Sequence, residues 1–175
     1  MVVATEVAVE RIDVSAYTIP TDEPESDGTL EWESTTIVVV EAHAAEERGL
    51  GYSYAHKAAA TVIGDTLAKA VEGKPLDTGA LWEEMGRQLR NAGRPGIGFT
   101  AVSAVDTALW DLHARLLGVP LVTLLGAAHD SVPVYGSGGF TSYSLERLRE
   151  QLGGWVAGGI PRVKMKIGRD PEADL

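Results

Sequence analysis

The stretch from Phe99 to Leu117 limits most strongly how this chain can fold. Val102, Val105, Leu109, Leu112 and Leu116 recur at steps of three and four, which sets them on one stripe of a helix, and Gly118 and Pro120 end it. Such a stripe has to be buried against other structure. Two further helical segments precede it. His56 to Val71 is alanine-rich and stops at Gly73 and Pro75; Thr78 to Arg90 carries Leu81, Trp82, Met85 and Leu89 and stops at Gly93 and Pro95. Leu121 to Leu125 reads as a short helical turn.

The surface these helices need lies earlier in the chain. Val7 to Thr18 alternates, with Ile12, Val14 and Ala16 on one face; Thr35 to Ala42 is β-branched; Gly49 to Ala55 is aromatic and closes a hairpin through residues 44–48. Three sequential strands joined by loops predict an antiparallel meander. Thr21 to Glu33, with Asp22, Glu23, Glu25, Asp27, Glu31 and Glu33 beside Pro24 and Gly28 and no basic residue, reads as a solvated loop. Its spacing departs from known Ca²⁺-binding loops.

The pattern changes near residue 128. Residues 1–128 hold nine Lys/Arg against nineteen Asp/Glu, whereas residues 129–175 hold six of each, so the first part supplies the whole net charge of −10. Val132 to Tyr135 reads as a strand ending in Gly136-Ser137-Gly138-Gly139. Ser144 then caps a helix carrying Leu145, Leu148, Leu152 and Trp155, and Val163 to Ile167 forms another strand. Strand, helix, strand is a βαβ unit with parallel strands and a right-handed crossover. Asp170-Pro171-Glu172 is a helix-start signal close to the end of the sequence. Two strands and one helix cannot bury themselves, so the piece reads as the opening of something longer. The expected organisation is one domain over 1–128 and an incomplete one over 129–175, in a truncated or cleaved portion of a larger protein.

In the last strand Val163, Met165 and Ile167 share one face while Lys164 and Lys166 share the other. Two ammonium groups side by side disfavour each other's charge, and burial disfavours both, so one of the pair is expected to lose its proton more readily than a free lysine. Such a lysine can act as a general base. An edge strand whose lysines discourage aggregation is the alternative reading.

Other classes of function find less support. An acidic first part argues against nucleic acid and anionic membranes as partners. No run approaches the length of a membrane-spanning helix, and the N-terminus has no signal-peptide pattern. The absence of cysteine removes disulfides and thiolate metal sites and fits a cytoplasmic protein. The glycines at 136, 138 and 139 lack the third glycine of a dinucleotide loop, since position 141 is Thr141. His43, His56, His113 and His129 show no metal-ligand spacing and read as surface or hydrogen-bonded histidines; Asp106, close to the apolar stripe, reads as a structural hydrogen-bond acceptor.

Several segments together carry a family resemblance. They are the acidic stretch after the first strand, the meander, the helix Thr100-Ala101-Val102-Ser103-Ala104-Val105-Asp106-Thr107-Ala108-Leu109-Trp110-Asp111, then Leu117-Gly118-Val119-Pro120-Leu121, Leu124-Leu125-Gly126, Val132-Pro133-Val134-Tyr135 and Lys164-Met165-Lys166. The chain resembles the N-terminal part of an enolase-superfamily enzyme of the mandelate racemase/muconate lactonizing type, over nearly its whole length. The resemblance implies an α+β capping domain, a three-stranded antiparallel meander plus helices, followed by the first βαβ of a TIM-like (β/α) barrel. It implies a racemase, epimerase, dehydratase or cycloisomerase that abstracts the proton beside a carboxylate, on a small acid substrate such as an acid sugar, with Mg²⁺ as cofactor. It matches Lys166 to the general base and Lys164 to its modulating partner. It matches one specificity loop to roughly Tyr17 to Glu33, with Tyr17 and Thr21 as substrate-binding candidates, and a second to the region of Tyr52 and Tyr54, and Ser137 sits at a strand end where barrel enzymes place their sites. It further implies a homo-oligomer when complete. The family's metal ligands lie on later strands, beyond residue 175, and Asp170, Glu172 and Asp174 are misplaced to substitute for them, so the 175 residues alone are expected to be inactive. A non-catalytic module that pairs its open sheet with a partner chain is the reading from another class.

Overall fold

The computed structural model describes residues 7–172 and residue 174. The chain forms two compact units, Met1–Ile19 with Thr36–Ala128 and Pro20–Thr35 with His129–Leu175. A three-stranded sheet in the order β1 (Arg11–Ser26), β2 (Glu31–Ala44) and β3 (Glu47–Tyr54) begins the fold. β2 and β3 pair antiparallel from Ile37 opposite Tyr54 to Ala44 opposite Glu47. Their two-residue turn places Ala45 and Glu46 at φ 48° and 67°. That left-handed pair gives the twist a tight hairpin needs, here without glycine.

The stretch after the sheet is helical. α1 (Ala58–Val62) runs through a π-turn at Ile63–Leu67 into α2 (Ala68–Val71), and Ile63 and Leu67 on that turn are fully buried. α3 (Thr78–Gln88) starts at Asp77, whose Oδ1 accepts from the Ala80 amide at 3.0 Å. α4 (Ile97–Leu116) follows, then the single turn α5 (Leu121–Leu124). Val102, Val105, Leu109 and Leu112 are buried as the stripe predicts, and Leu116 packs at the margin of the core. Each such side chain taken from water contributes about 1.5–3 kcal/mol before ordering costs.

The second face of α4 is not evident from hydrophobic spacing. Ala101, Ala104 and Ala108 are fully buried, and this smooth side lies directly on β3. A Cβ placed on Gly49 would lie 2.2 Å from the Ala108 carbonyl oxygen, and one on Gly51 would lie 2.1 Å from that of Ala104. Glycine at both positions lets helix backbone touch strand backbone. Ser53, next on the same face, donates its hydroxyl to the Thr100 carbonyl at 2.8 Å. β3 is an edge strand, and the Leu50 amide on that edge is taken by Asp111 Oδ2 at 2.8 Å, an oxygen also held by Arg115. The structural acceptor on this helix is therefore Asp111. Asp106 has no hydrogen-bond partner among the described residues, contrary to expectation; half-buried beside Trp82 and Trp110, its carboxyl is pushed up by burial.

The second unit corrects two further expectations. The acidic stretch is not a loop: β1 continues to Ser26, a turn follows, and β2 resumes at Glu31, so residues 20–35 form the end of a long hairpin. Proline and carboxylates are tolerated there because such a ribbon has solvated edges. Residues 132–135 are not a strand. Pairing begins later, where β4 (Gly136–Ser137) lies parallel to β5 (Val163–Lys164). α6 (Leu145–Ala157) connects them, with Ser144 Oγ accepting from the Arg147 amide at 3.1 Å as a capping residue should. A Cβ on Gly136 would meet the Trp155 ring at 2.3 Å, so only glycine lets α6 settle on this strand. Asp170 starts a single turn, its side chain accepting from Glu172 N and its carbonyl from Asp174 N. No helix among the described residues is long and apolar enough to cross a membrane.

Candidate functional site

The parallel pair fixes which residues share a face. Gly136 is opposite Val163 and Ser137 opposite Lys164. Trp155 and Gln151 of α6 cover the face where Cβ atoms of Gly136 and Gly138 would stand. By alternation, Ser137, Lys164 and Lys166 belong to the opposite face, the one α6 leaves open. The ladder extends past the two formal strand residues. The Gly138 amide donates to the Lys164 carbonyl at 3.3 Å, and the Lys166 amide donates to Gly139 O at 2.8 Å. Lys166 is half-buried and Lys164 exposed. Neither ammonium has an ion-pair or side-chain hydrogen-bond partner among the described residues. The apolar face of this strand is more open than its sequence suggests, with Met165 49% and Ile167 60% exposed.

The hairpin end supplies the rest of this unit. Trp32 meets Phe140 edge-on at 5.6 Å, Phe140 meets Tyr143 at 5.4 Å, and Arg147 lies over the Tyr143 ring while pairing with Glu23 at 2.7 Å. Burial, then Glu25 and Glu23, raise the Tyr143 phenol above its ordinary value. Ser26 and Thr141 join hydroxyls at 2.7 Å, Ser142 donates to the Pro24 carbonyl at 2.7 Å, and Arg169 pairs with Glu31 at 3.0 Å. Thr21 belongs here as well, with a buried hydroxyl that has no partner among the described residues. The strand pair thus brings Ser137, Lys164 and Lys166 together. Tyr17 and Tyr54 lie on the meander of the other unit, 54% and 70% exposed, with Tyr52 at 61%.

Two arrangements escape the sequence. Asp27 stands at the hairpin turn within the field of Lys166; an Asp-Gly pair between strands was the available signal. In the first unit Asp13, Glu41 and His43 converge to within 4.8 Å of one another, across two adjacent strands. Arg11 and Arg48 neutralise this cluster, through Arg11–Asp13 at 2.8 Å and Arg48–Glu41 at 2.6 Å, and His43 Nε2 lies 3.0 Å from Asp13. An open acidic depression of about 370 Å³ lined by Glu10, Arg11, His43, Glu46, Glu47 and Glu72 belongs to the same unit. Among the described residues no set of three carboxylate or imidazole ligands includes a residue of the lysine-bearing unit. The residues present therefore do not make a divalent metal site beside the lysines.

Comparison with known proteins gives these observations a context. A cycloisomerase of 3,6-anhydro-alpha-L-galactonate from Streptomyces coelicolor is 32% identical over 170 residues, 92% of this chain and 46% of that protein. The crystal structure of a mandelate racemase/muconate lactonizing enzyme-like protein from Rubrobacter xylanophilus superposes with a TM-score of 0.94 at 61% identity, over 95% of this chain and 47% of the other. L-talarate/galactarate dehydratase from Salmonella typhimurium LT2, liganded with Mg and L-lyxarohydroxamate, superposes with a TM-score of 0.84 at 26% identity, over 99% and 48%. The chain spans about half the length of these relatives. Residues 16–126 match the family described as mandelate racemase / muconate lactonizing enzyme, N-terminal domain, and with the meander, the α4 packing and the βαβ start in place, the chain belongs to that family.

Proposed function

We propose that the complete protein abstracts the proton next to the carboxylate of an acid-sugar substrate and proceeds to a cycloisomerase, dehydratase or racemase outcome. One observation carries this reading: two lysines with no ion-pair partner among the described residues share the helix-free face of a parallel strand pair in a chain of this family. The Nζ of Lys166 is the base. Its lone pair takes the α-proton, and the C–H electron pair moves into the carboxylate to give an enediolate. Lys164, beside it, presents a cation to the carboxylate, where negative charge grows as the proton leaves. Ser137, on the same face, offers a hydroxyl to the substrate, and Thr21, Tyr17 and Tyr54 are the residues we assign to its recognition. Sugar-acid cycloisomerase and dehydratase activities among the relatives support the substrate class. We extend the Mg²⁺ of L-talarate/galactarate dehydratase to the complete protein. The residues present do not form its ligand set, so no step is derived through the ion, and the 175 residues alone are inactive in this reading.

The test uses the full-length protein with a panel of acid sugars in D₂O, following exchange of the α-proton by NMR. Lys166→Ala is expected to slow exchange by about 10²–10⁴-fold, the usual contribution of a positioned base. Exchange at the wild-type rate would remove Lys166 from the role.

A further inference from the structure

Asp106 and Trp110 lie in the α4 motif through which the chain resembles its family, yet the lysine strand uses neither. Four residues apart, they stand on one face of that helix. On α3, Thr78 and Trp82 have the same spacing, as do Gly79 and Glu83 beside them. These two helix faces line an open depression of about 330 Å³, made by Thr78, Gly79, Trp82, Glu83, Asp106 and Trp110. There is free space beside Gly79, where a Cβ would meet only Asp77 Oδ1, at 3.6 Å. Each indole has a partner that steadies it. Trp82 packs edge-on against Phe99 with centroids 6.0 Å apart, and Trp110 stacks on the His113 ring at 6.0 Å and 16°.

The charge here is of one sign. Two carboxylates line the depression and no lysine or arginine does. Asp106 is half-buried, with neither a hydrogen bond nor an ion pair among the described residues. Burial raises its carboxyl, so ionising it costs free energy that a bound cation would restore. The neighbouring cations are committed elsewhere: Arg87 pairs with Glu84, Arg94 Nε donates to the Gly86 carbonyl at 2.9 Å, and Arg115 pairs with Asp111 at 2.8 Å. At the start of α3 the Asp77 carboxylate caps the helix and offsets its positive end.

A half-buried acceptor short of donors, flanked by two indoles, calls for a positive head that carries N–H groups on a short apolar stem. We propose that the α3–α4 depression binds a small primary alkylammonium ion, whose N–H groups donate to the Asp106 carboxylate while its methylenes lie against Trp82 and Trp110. A divalent metal suits the place less well, because Asp106 and Glu83 belong to no set of three metal-ligating side chains among the described residues. The site lies wholly in the first unit and shares no residue with the lysine-bearing one.

The sequence carries four tryptophans, and Trp32 and Trp155, both in the second unit, serve as internal references. Full-length protein labelled with 5-fluorotryptophan is titrated with n-butylammonium chloride and followed by ¹⁹F NMR, with signals assigned through Trp82→Phe and Trp110→Phe. The Trp82 and Trp110 signals are expected to move along one saturating curve while those of Trp32 and Trp155 stay in place. The neutral isostere 1-butanol should bind about tenfold more weakly, since it keeps the stem and lacks the charge. Asp106→Asn keeps the shape and removes the anion, and should weaken n-butylammonium binding by about tenfold. Trp82→Leu removes one aromatic wall and should weaken it by about two- to fivefold. Trp82 is 45% exposed, so Trp82→Leu carries the test if Asp106→Asn does not fold. No saturable shift at Trp82 and Trp110, equal affinity for 1-butanol, or undiminished binding in the folded variants overturns the proposal.

Discussion

Gly51 shows how much of this fold rests on a missing side chain. Its place opposite the Ala104 carbonyl leaves no room for a methyl group, and the obstacle is helix backbone, which cannot swing aside. Gly51→Ala should push α4 off β3 and cost about 2–3 kcal/mol, as over-packing of a close contact does, read as a lower midpoint in urea unfolding. Asp106 poses the opposite problem, a charge in a half-buried setting without a hydrogen-bond partner among the described residues. Burial raises its folded-state value, so ionisation costs stability. That cost is absent while the carboxyl is protonated in both states and grows as pH rises through the folded value. Asp106→Asn should therefore raise the melting temperature at neutral pH. The gain should fade as pH falls below the ordinary carboxylate range, which thermal melts across pH will show.

Among the elements, the end of the β1–β2 hairpin departs furthest from what its composition suggests. Six acidic residues with a proline and a glycine resemble solvated coil. The strands persist because the ribbon has something to pack against: Trp32 reaches Phe140, Glu23 reaches Arg147 and Ser26 reaches Thr141, all more than a hundred residues away in sequence. Replacing Trp32 with alanine removes the edge-on contact with Phe140, and such aromatic pairs contribute about 0.5–1.5 kcal/mol beyond their area. Hydrogen exchange should then accelerate at Thr141 and Tyr143 and in the first turn of α6, while amides of α4 keep their protection. Equal loss of protection in α4 would show that the hairpin end does not stabilise its own unit selectively. α6 itself follows local rules, since Ser144 caps it and its apolar positions fall at helical spacing.

At the scale of the whole molecule, sequence and tertiary structure divide the information by range. Sequence by itself determined the order of elements, the meander, the α4 stripe and the alternation that sets Lys164 and Lys166 on one face, because these depend on neighbours within a few residues and on the periods of helix and strand. It also carried the family, whose N-terminal-domain match runs over residues 16–126 and so includes the α4 motif. Only the tertiary structure decided that Asp111, and not Asp106, satisfies an edge-strand amide, and that Gly49 and Gly51 are spaces for a helix. It alone showed the Asp27 carboxylate accepting from Thr29 and Leu30 at the hairpin turn and set residues 20–35 among the second unit's residues. Those facts depend on which distant groups meet. A carboxylate or a glycine looks the same in sequence whether it faces water, an orphan amide or another backbone, and close contact alone tells these apart.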